Sequence, residues 1–308
     1  MPGHIGGGYF PGGDGSEENP FQIKTAAQLE SLAALVNADD SSTPVWADKY
    51  YKLMNDLTLT GQWAPIGHTD DSTAFKGHFD GGYHTISGLK VSASTNAGLF
   101  GIVVGGSVKN LGLVDVDIVG GSGNDAGGVA GYVLGGSVEN CYVTGSVSSG
   151  NSAGGVAGGV YTNGSVKNCY STATVSGSSA GGVAGVVGGS VENCYSTGAV
   201  SGDTYVGGVA GVVQGGSVKN CAALNPSVKD TGGYAIGIGR VAGVNNDNTD
   251  TLSGNYAFIS MTGSNWGNIG TDNLDGAYMS KIQAVTPSFW QCQQLKQDVK
   301  IPEITRNN

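Results

Sequence analysis

Hydrophobic residues in this chain fall in short runs of three to seven, chiefly Val and Ala, divided by Gly, Ser and Asn. Within the runs β-branched residues are favoured and no helical period appears, so the pattern predicts short strands joined by tight turns. One stretch differs. Residues 25–37, TAAQLESLAALVN, place Leu29, Leu32, Leu35 and Val36 on one side and open with Thr25 and Gln28 at capping-box spacing, which predicts a helix.

The runs recur. A cassette GGVAG…GSV(K/E)NCYST returns with its closing glycine at Gly101, Gly131, Gly158, Gly185 and Gly211, and its asparagine at Asn110, Asn140, Asn168, Asn193 and Asn220. The steps are 30, 27, 27 and 26 residues for the glycines and 30, 28, 25 and 27 for the asparagines, a variation that belongs in turns. Such a period means one supersecondary unit per copy, each covering the apolar face of its neighbour. Three candidate strands fit in one copy, around residues 128–133, 137–140 and 141–148. That is one triangular turn of a parallel β-helix, in which each strand pairs with its counterpart one coil away at about 4.8 Å.

Stacking turns each residue type into a ladder. Val138, Val166, Val191 and Val218 are expected as an inward column, and Cys141, Cys169, Cys194 and Cys221 as another after the corner. The asparagines occupy that corner, at a nearly buried site where amides can bond from coil to coil. The outward position reads Lys109, Glu139, Lys167, Glu192, Lys219, so charge alternates between neighbouring coils. Each exposed pair contributes only about 0.2–1 kcal/mol; the alternation therefore reports who is adjacent to whom.

The ends depart from the cassette. Residues 1–20 read as a flexible N-terminal segment, and residues 21–308 as one capped domain: a helix cap with irregular coils over 21–97, regular coils over 98–225, last coils and a C-terminal cap over 226–308. The helix is expected to cover the open end of the first coil. Residues 50–91 read as strands of longer, irregular coils. Beyond Val244 the cassette dissolves, with short helical pieces expected near residues 279–284 and 288–296 and Trp290 over the last coil.

Composition narrows the function classes. The 56 glycines fall at turns rather than at every third position, which excludes a collagen. A formal net charge of -10, with Arg240 and Arg306 as the arginines, excludes a nucleic-acid partner. No run of 18 apolar residues is present, so no membrane insertion is expected. The first 20 residues lack the basic and apolar regions of a signal peptide. Four of the five cysteines share one position in successive copies, where parallel Cβ atoms about 4.8 Å apart exceed the ~3.8 Å of a disulfide. They read as a reduced, buried column, with Cys292 apart.

Enzymatic chemistry finds little material. Between residues 98 and 225 there is no His and no Arg, and Asp115, Asp117, Asp125, Glu139, Glu192 and Asp203 are scattered or tied to the repeat. No catalytic set emerges, and no cofactor is expected. His78, Asp80 and His84, with His68 and Asp70 nearby, are zinc-type ligands. The same residues also suit a coil corner, with Asp80 and two glycines forming a turn, and no metal is expected. Tyr142, Tyr170 and Tyr195, followed two residues later by Thr144, Thr172 and Thr197, are expected to point outward. Such rows can stack on sugar rings, or simply on their own ladder neighbours.

The repeated GG-V-A-G and GSVxNCY cassette resembles the GLUG motif. Residues 20–97, with FQIKTAAQLESLAALVN, YYKLMNDLTLTG and FKGHFDGGYHTISGL, resemble the segment that precedes such repeats in bacterial surface proteins. The resemblance spans residues 20–225. It implies an all-β, right-handed parallel β-helix, extracellular or at the cell surface, like adhesin-like proteins and the non-catalytic region of IgA-specific metallopeptidases. The function expected is a monomeric, non-catalytic adhesin-like or spacer module that meets a glycan or host surface protein. The alternatives are a carbohydrate-active enzyme, with its site around residues 64–83 or after Val244, and a pure scaffold.

Overall fold

The computed structural model describes residues 9–39, 45–67, 73–93, 96–233, 235–246, 251–264, 266–267, 270 and 272–280. Three parallel sheets wrap one core, one sheet on each side of a three-sided coil. The first side stacks nine strands: Phe21–Ile23, Tyr50–Leu53, His78–Asp80, Ser107–Lys109, Ser137–Glu139, Ser165–Lys167, Ser190–Glu192, Ser217–Lys219 and Leu252–Ser253. The second side holds sixteen shorter or longer strands, among them Tyr142–Ser149, Thr174–Gly181 and Val200–Gly207. The third side stacks Phe100–Val104, Ala130–Leu134, Ala157–Tyr161, Ala184–Val187, Ala210–Val213 and Ala242–Asn245. The expected parallel β-helix is therefore the fold.

Register on the first side runs without a slip. Val108, Val138, Val166, Val191 and Val218 stack inward, each fully buried. The charged position beside them alternates as read, and the pattern extends two coils further, to Lys52 and Asp80. Lys167 Nζ lies 3.8 Å from Glu192 Oε2.

The core changes along the stack. Above the valines the same inward column carries Phe21, Tyr51 and Phe79, which pack with Phe10, Phe75 and Phe100. Aromatics widen the first coils, whereas Val, Ala and Cys fill the later, regular ones. The helix Ala26–Asn37 follows the first strand and seals the wide end with Leu29, Leu32, Ala33 and Val36, while Leu35 is only half-buried. Its capping box is formed as the sequence reads: Thr25 accepts from the Gln28 N–H, and the Gln28 side chain accepts from the Thr25 N–H.

Four expectations need correction or extension. Residues 9–20 are not a loose segment: Phe10 stacks on Phe21 at 5.1 Å, and Gly12 and Gly15 accept backbone bonds from Gln22 and Tyr50. The exposed aromatic end attracts an apolar lid. The coil also continues past Val244, with Leu252 under Val218, Tyr256 under Ala222, and a last strand Ala277–Met279. Met279 is thus a strand residue and Ser280 follows outside any helix, while residues 281–284 and 288–296, with Trp290, lie outside the described residues. Near this end Arg240 is fully buried, with Nη2 donating to Gly276 O and the guanidinium over the Tyr278 ring.

The asparagine corner is the fourth. Asn140 and Asn220 are exposed and the other three half-buried, so burial does not select the residue. All five instead sit in the left-handed region, with φ of 53–56°. Asn tolerates that conformation better than other side-chain-bearing residues. Its amide then bonds along the stack: Asn140 Nδ2 donates to Asn110 Oδ1 at 3.1 Å, and Asn168 and Asn193 repeat the contact at 3.2 Å.

The cysteines form the expected buried column. Each backbone N–H of Cys141, Cys169 and Cys194 points at the Sγ of the next coil, at 3.4–3.5 Å. All four are free thiols, and burial pushes Cys169 and Cys221 up from the usual thiol range. The column ends where Asn255 replaces Cys: its Oδ1 accepts from Cys221 N at 3.0 Å and its Nδ2 donates to Val218 O.

Two outcomes follow. Asn140→Ala should destabilise the fold by about 1–2 kcal/mol, since it adds left-handed strain to the lost amide bonds, and Asn140→Gly should cost less; urea midpoints decide. Equal losses would mean that the backbone conformation is not what selects Asn. In a Cys292→Ser background, all four column thiols should resist a thiol reagent in the native state and react after unfolding.

Candidate functional site

The tyrosine row is a stacked column rather than an open platform. Tyr142 and Tyr170 lie parallel with centroids 5.1 Å apart, and Tyr170 and Tyr195 at 4.8 Å. These separations match the strand spacing of about 4.8 Å, so the backbone register sets them. Tyr170 and Tyr195 retain only 6% and 4% of their exposure, which leaves their ring faces to each other. The row forms a cluster of its own, apart from the main core, and of its two expected uses the rings take stacking on their ladder neighbours. Burial pushes the Tyr170 hydroxyl up to about 12. Thr144, Thr172 and Thr197 are half-buried beside the column, and Thr144 Oγ1 accepts from the Asp115 N–H, whose residue bulges out of its strand at φ 54°.

The zinc-type residues part company. His78 stacks on Tyr50 at 4.4 Å and shares a hydrogen bond with Ser107 Oγ. Asp80 Oδ1 accepts from Gly82 N and from Asn110 Nδ2, so it starts the asparagine ladder. His84 contacts Asp56 Oδ1 at 3.2 Å. His68 and Asp70 lie outside the described residues. Among the described residues no three His, Cys, Asp or Glu side chains converge as metal ligands.

A different constellation forms on the third side. There the outward column reads Ile102, Tyr132, Gly159, Val186, Val212 and Val244. Gly159 breaks the row, and the ring of Tyr161, from the next outward position, folds back into the gap. It stacks on Tyr132 at 4.5 Å, and its hydroxyl donates to Asp125 Oδ2 at 2.8 Å. A methyl at Gly159 would collide with both the ring and the carboxylate. Asp125 is 4% exposed and also accepts from Asn151 Nδ2 at 3.1 Å. Burial raises its pKa despite these donors, and burial followed by the Asp125 charge pushes the Tyr161 hydroxyl well above the usual range.

Beside this pair the corner lengths differ. Three residues separate Val133 from Ser137, four separate Val160 from Ser165, two separate Val187 from Ser190, and three separate Val213 from Ser217. The short corner at Gly188 and Gly189 is set back between the bulging Thr162–Asn163 turn and the Gln214–Gly215 turn. The result is a groove of about 530 Å³ lined by Tyr161, Thr162, Asn163, Val186, Gly188, Gln214 and Gly215. The sequence carried its signal in the spacing from valine to serine across each corner, four residues between Val160 and Ser165 and two between Val187 and Ser190. It did not reveal the Asp125–Tyr161 contact, which joins residues 36 apart across a gap left by one glycine.

Comparison with known proteins agrees with the fold. The GLUG motif matches residues 122–148, 149–176 and 202–229. Over 150 residues, 44% of this chain, the sequence is 33% identical to halomucin of Haloquadratum walsbyi, of which the match spans 2%. Over 114 residues it is 32% identical to a protein of Evansella cellulosilytica described as a candidate Gly-rich membrane protein, of which the match spans 12%. A crystal structure from Bacteroides ovatus, described as a candidate immunoglobulin A1 protease, superposes over 95% of this chain and 93% of that one, with a TM-score of 0.76 and 25% identity. No helix among the described residues is long and apolar enough to cross a membrane.

Asp125 makes a pH prediction. Its folded pKa lies above the unfolded value of 3.8, so the native state binds this proton more tightly. Stability from this group is therefore absent well above the folded pKa and gained as pH falls through it towards the unfolded value. The urea midpoint of the wild type, relative to Asp125→Asn, should rise between neutral pH and about 4.5. A difference that stays constant with pH would show that the carboxyl is not held in this environment.

Proposed function

We propose that this chain is a non-catalytic, adhesin-like module of a prokaryotic surface protein, which presents a rigid lateral face to a glycan or protein outside the cell. The observation that carries the reading is the parallel stack of the first side, which runs in register from Phe21–Ile23 to Leu252–Ser253. The corner asparagines bond to their own copies, and the acidic residues among those described are spread along the stack rather than gathered in one cleft.

Magnitude separates this reading from a plain spacer. Nine rungs at about 4.8 Å extend roughly 38 Å, whereas a flexible chain of similar residue number averages about 90 Å end to end. Reach is therefore poorly served by this fold. What it supplies is a broad, stiff side surface, resistant to local opening because each strand is held by two neighbours. The surface-type names of halomucin and the Gly-rich membrane protein support a location outside the cell.

The test uses the chain on beads, offered mucin, host glycoproteins and a panel of polysaccharides. Adherence to at least one surface, with polysaccharide chain lengths unchanged after prolonged incubation, is expected. Adherence to none, or shortening of a polysaccharide that Asp56→Asn or Asp80→Asn abolishes, would overturn the reading.

A further inference from the structure

We infer that the groove between the Thr162–Asn163 and Gln214–Gly215 turns is a binding subsite for an uncharged glycan, with Tyr161 as its aromatic wall. The inference rests on the adhesin-like reading and names the chemistry of its ligand.

Four observations meet at this place. First, three departures from the regular cassette fall together here. A long corner, a short corner and a glycine in the outward column occur within two successive coils, while the ladders on the first side pass without a slip. Regular coils leave no recess, because equivalent turns stack flush; a recess needs one turn set back between two that project. Second, the wall is aromatic and held. Tyr161 is fixed on one side by Tyr132 and at its hydroxyl by Asp125, itself anchored by Asn151. A side chain fixed in advance loses little rotamer entropy on binding.

Third, the lining is balanced between apolar and polar and holds no charge. Tyr161 and Val186 supply apolar surface, and Thr162, Asn163 and Gln214 supply a hydroxyl and two amides that can both donate and accept. Thr162, Asn163 and Gln214 are exposed. In a chain of net charge -10, a recess free of Asp, Glu, Lys and Arg selects against anionic and cationic ligands alike. A pyranose matches this lining: its C–H face packs on an aromatic ring, and its hydroxyls pair with amides. Fourth, the volume of about 530 Å³ falls in the range of small-ligand sites, about 300–1,000 Å³. The open groove suits internal units of a chain rather than a buried monosaccharide.

The buried tyrosine column on the second side provides an internal control. It has more aromatic residues, but its rings face one another. If exposed aromatic content alone drove retention, Tyr142, the half-buried end of that column, would matter as much as Tyr161.

The experiment screens the intact chain on an array of neutral oligosaccharides, namely α- and β-glucans, mannan, galactan and xylan fragments, with sulfated and uronic acid glycans alongside. The best retained soluble oligosaccharide is then titrated calorimetrically. Tyr161→Ala and Val186→Arg should each weaken binding by at least about tenfold. Asn163→Gly, which keeps the left-handed turn, and Gln214→Ala should weaken it by several fold, and Tyr142→Ala should leave it unchanged. Urea midpoints confirm folding; Val186→Arg, at a half-exposed position, keeps the test valid if Tyr161→Ala unfolds. Retention of charged glycans only, retention of none, or binding indifferent to the groove variants would overturn the inference. If beads still adhere to a surface in the last two cases, the adhesin-like reading stands and the groove assignment alone falls.

Discussion

Backbone hydrogen bonding between successive coils, at one strand spacing per turn, is the constraint from which the other features of this molecule follow. A parallel in-register stack places each side chain on its own equivalent one coil away. The chain therefore selects residues that tolerate or use self-contact. Cysteines meet cysteines too far apart for a disulfide, so they serve as small, buried apolar fillers whose sulfur accepts from the N–H of the preceding coil. Tyrosines meet as parallel rings at 4.8–5.1 Å. Charge is the one property that self-contact penalises, and there the sequence alternates, from Lys52 through Lys219.

A ladder also has to end. At the wide end, aromatic side chains enlarge the core until a helix can lie across it, and Phe10 adds a second layer. At the other end the problem is handled atom by atom: Asn255 stands where a cysteine would and supplies the acceptor that Cys221 N requires. These devices differ because an open apolar core and an unpaired backbone N–H are different costs, the first proportional to area and the second a discrete lost bond.

This division explains how much the sequence disclosed. Sheet number, strand order and most registers were legible because a repeat reports its own alignment, and Lys109 against Glu139 is as good as a contact. The Thr25–Gln28 cap was legible because capping chemistry is local. What is not legible depends on contacts between unlike positions. Phe10 belongs to no repeat. The coil after Val244 keeps Leu252, Asn255 and Tyr256 in register although Asn has replaced Cys and the connecting segment has lengthened, so its spelling no longer matches its neighbours. The asparagine spacing predicts amide bonds from coil to coil, and these form, but the residue is selected by the left-handed turn rather than by burial. The outward tyrosines were legible as a column, whereas the occlusion of their faces follows only from the spacing of the rings.

The same reasoning identifies where free chemistry can reside in such a molecule. A side chain that repeats is engaged by its copies, and its capacity to bond or stack is largely consumed inside the ladder. Only departures from the repeat leave capacity unspent, and on the third side the departures are adjacent: Gly159 vacates a position, Tyr161 turns into it and is pinned by Asp125, and the corners on either side of Gly188 project past it. A regular array would gain stability from Val at residue 159 and from corners of equal length. The chain forgoes both in successive coils, and the outcome is an uncharged recess with one fixed aromatic wall.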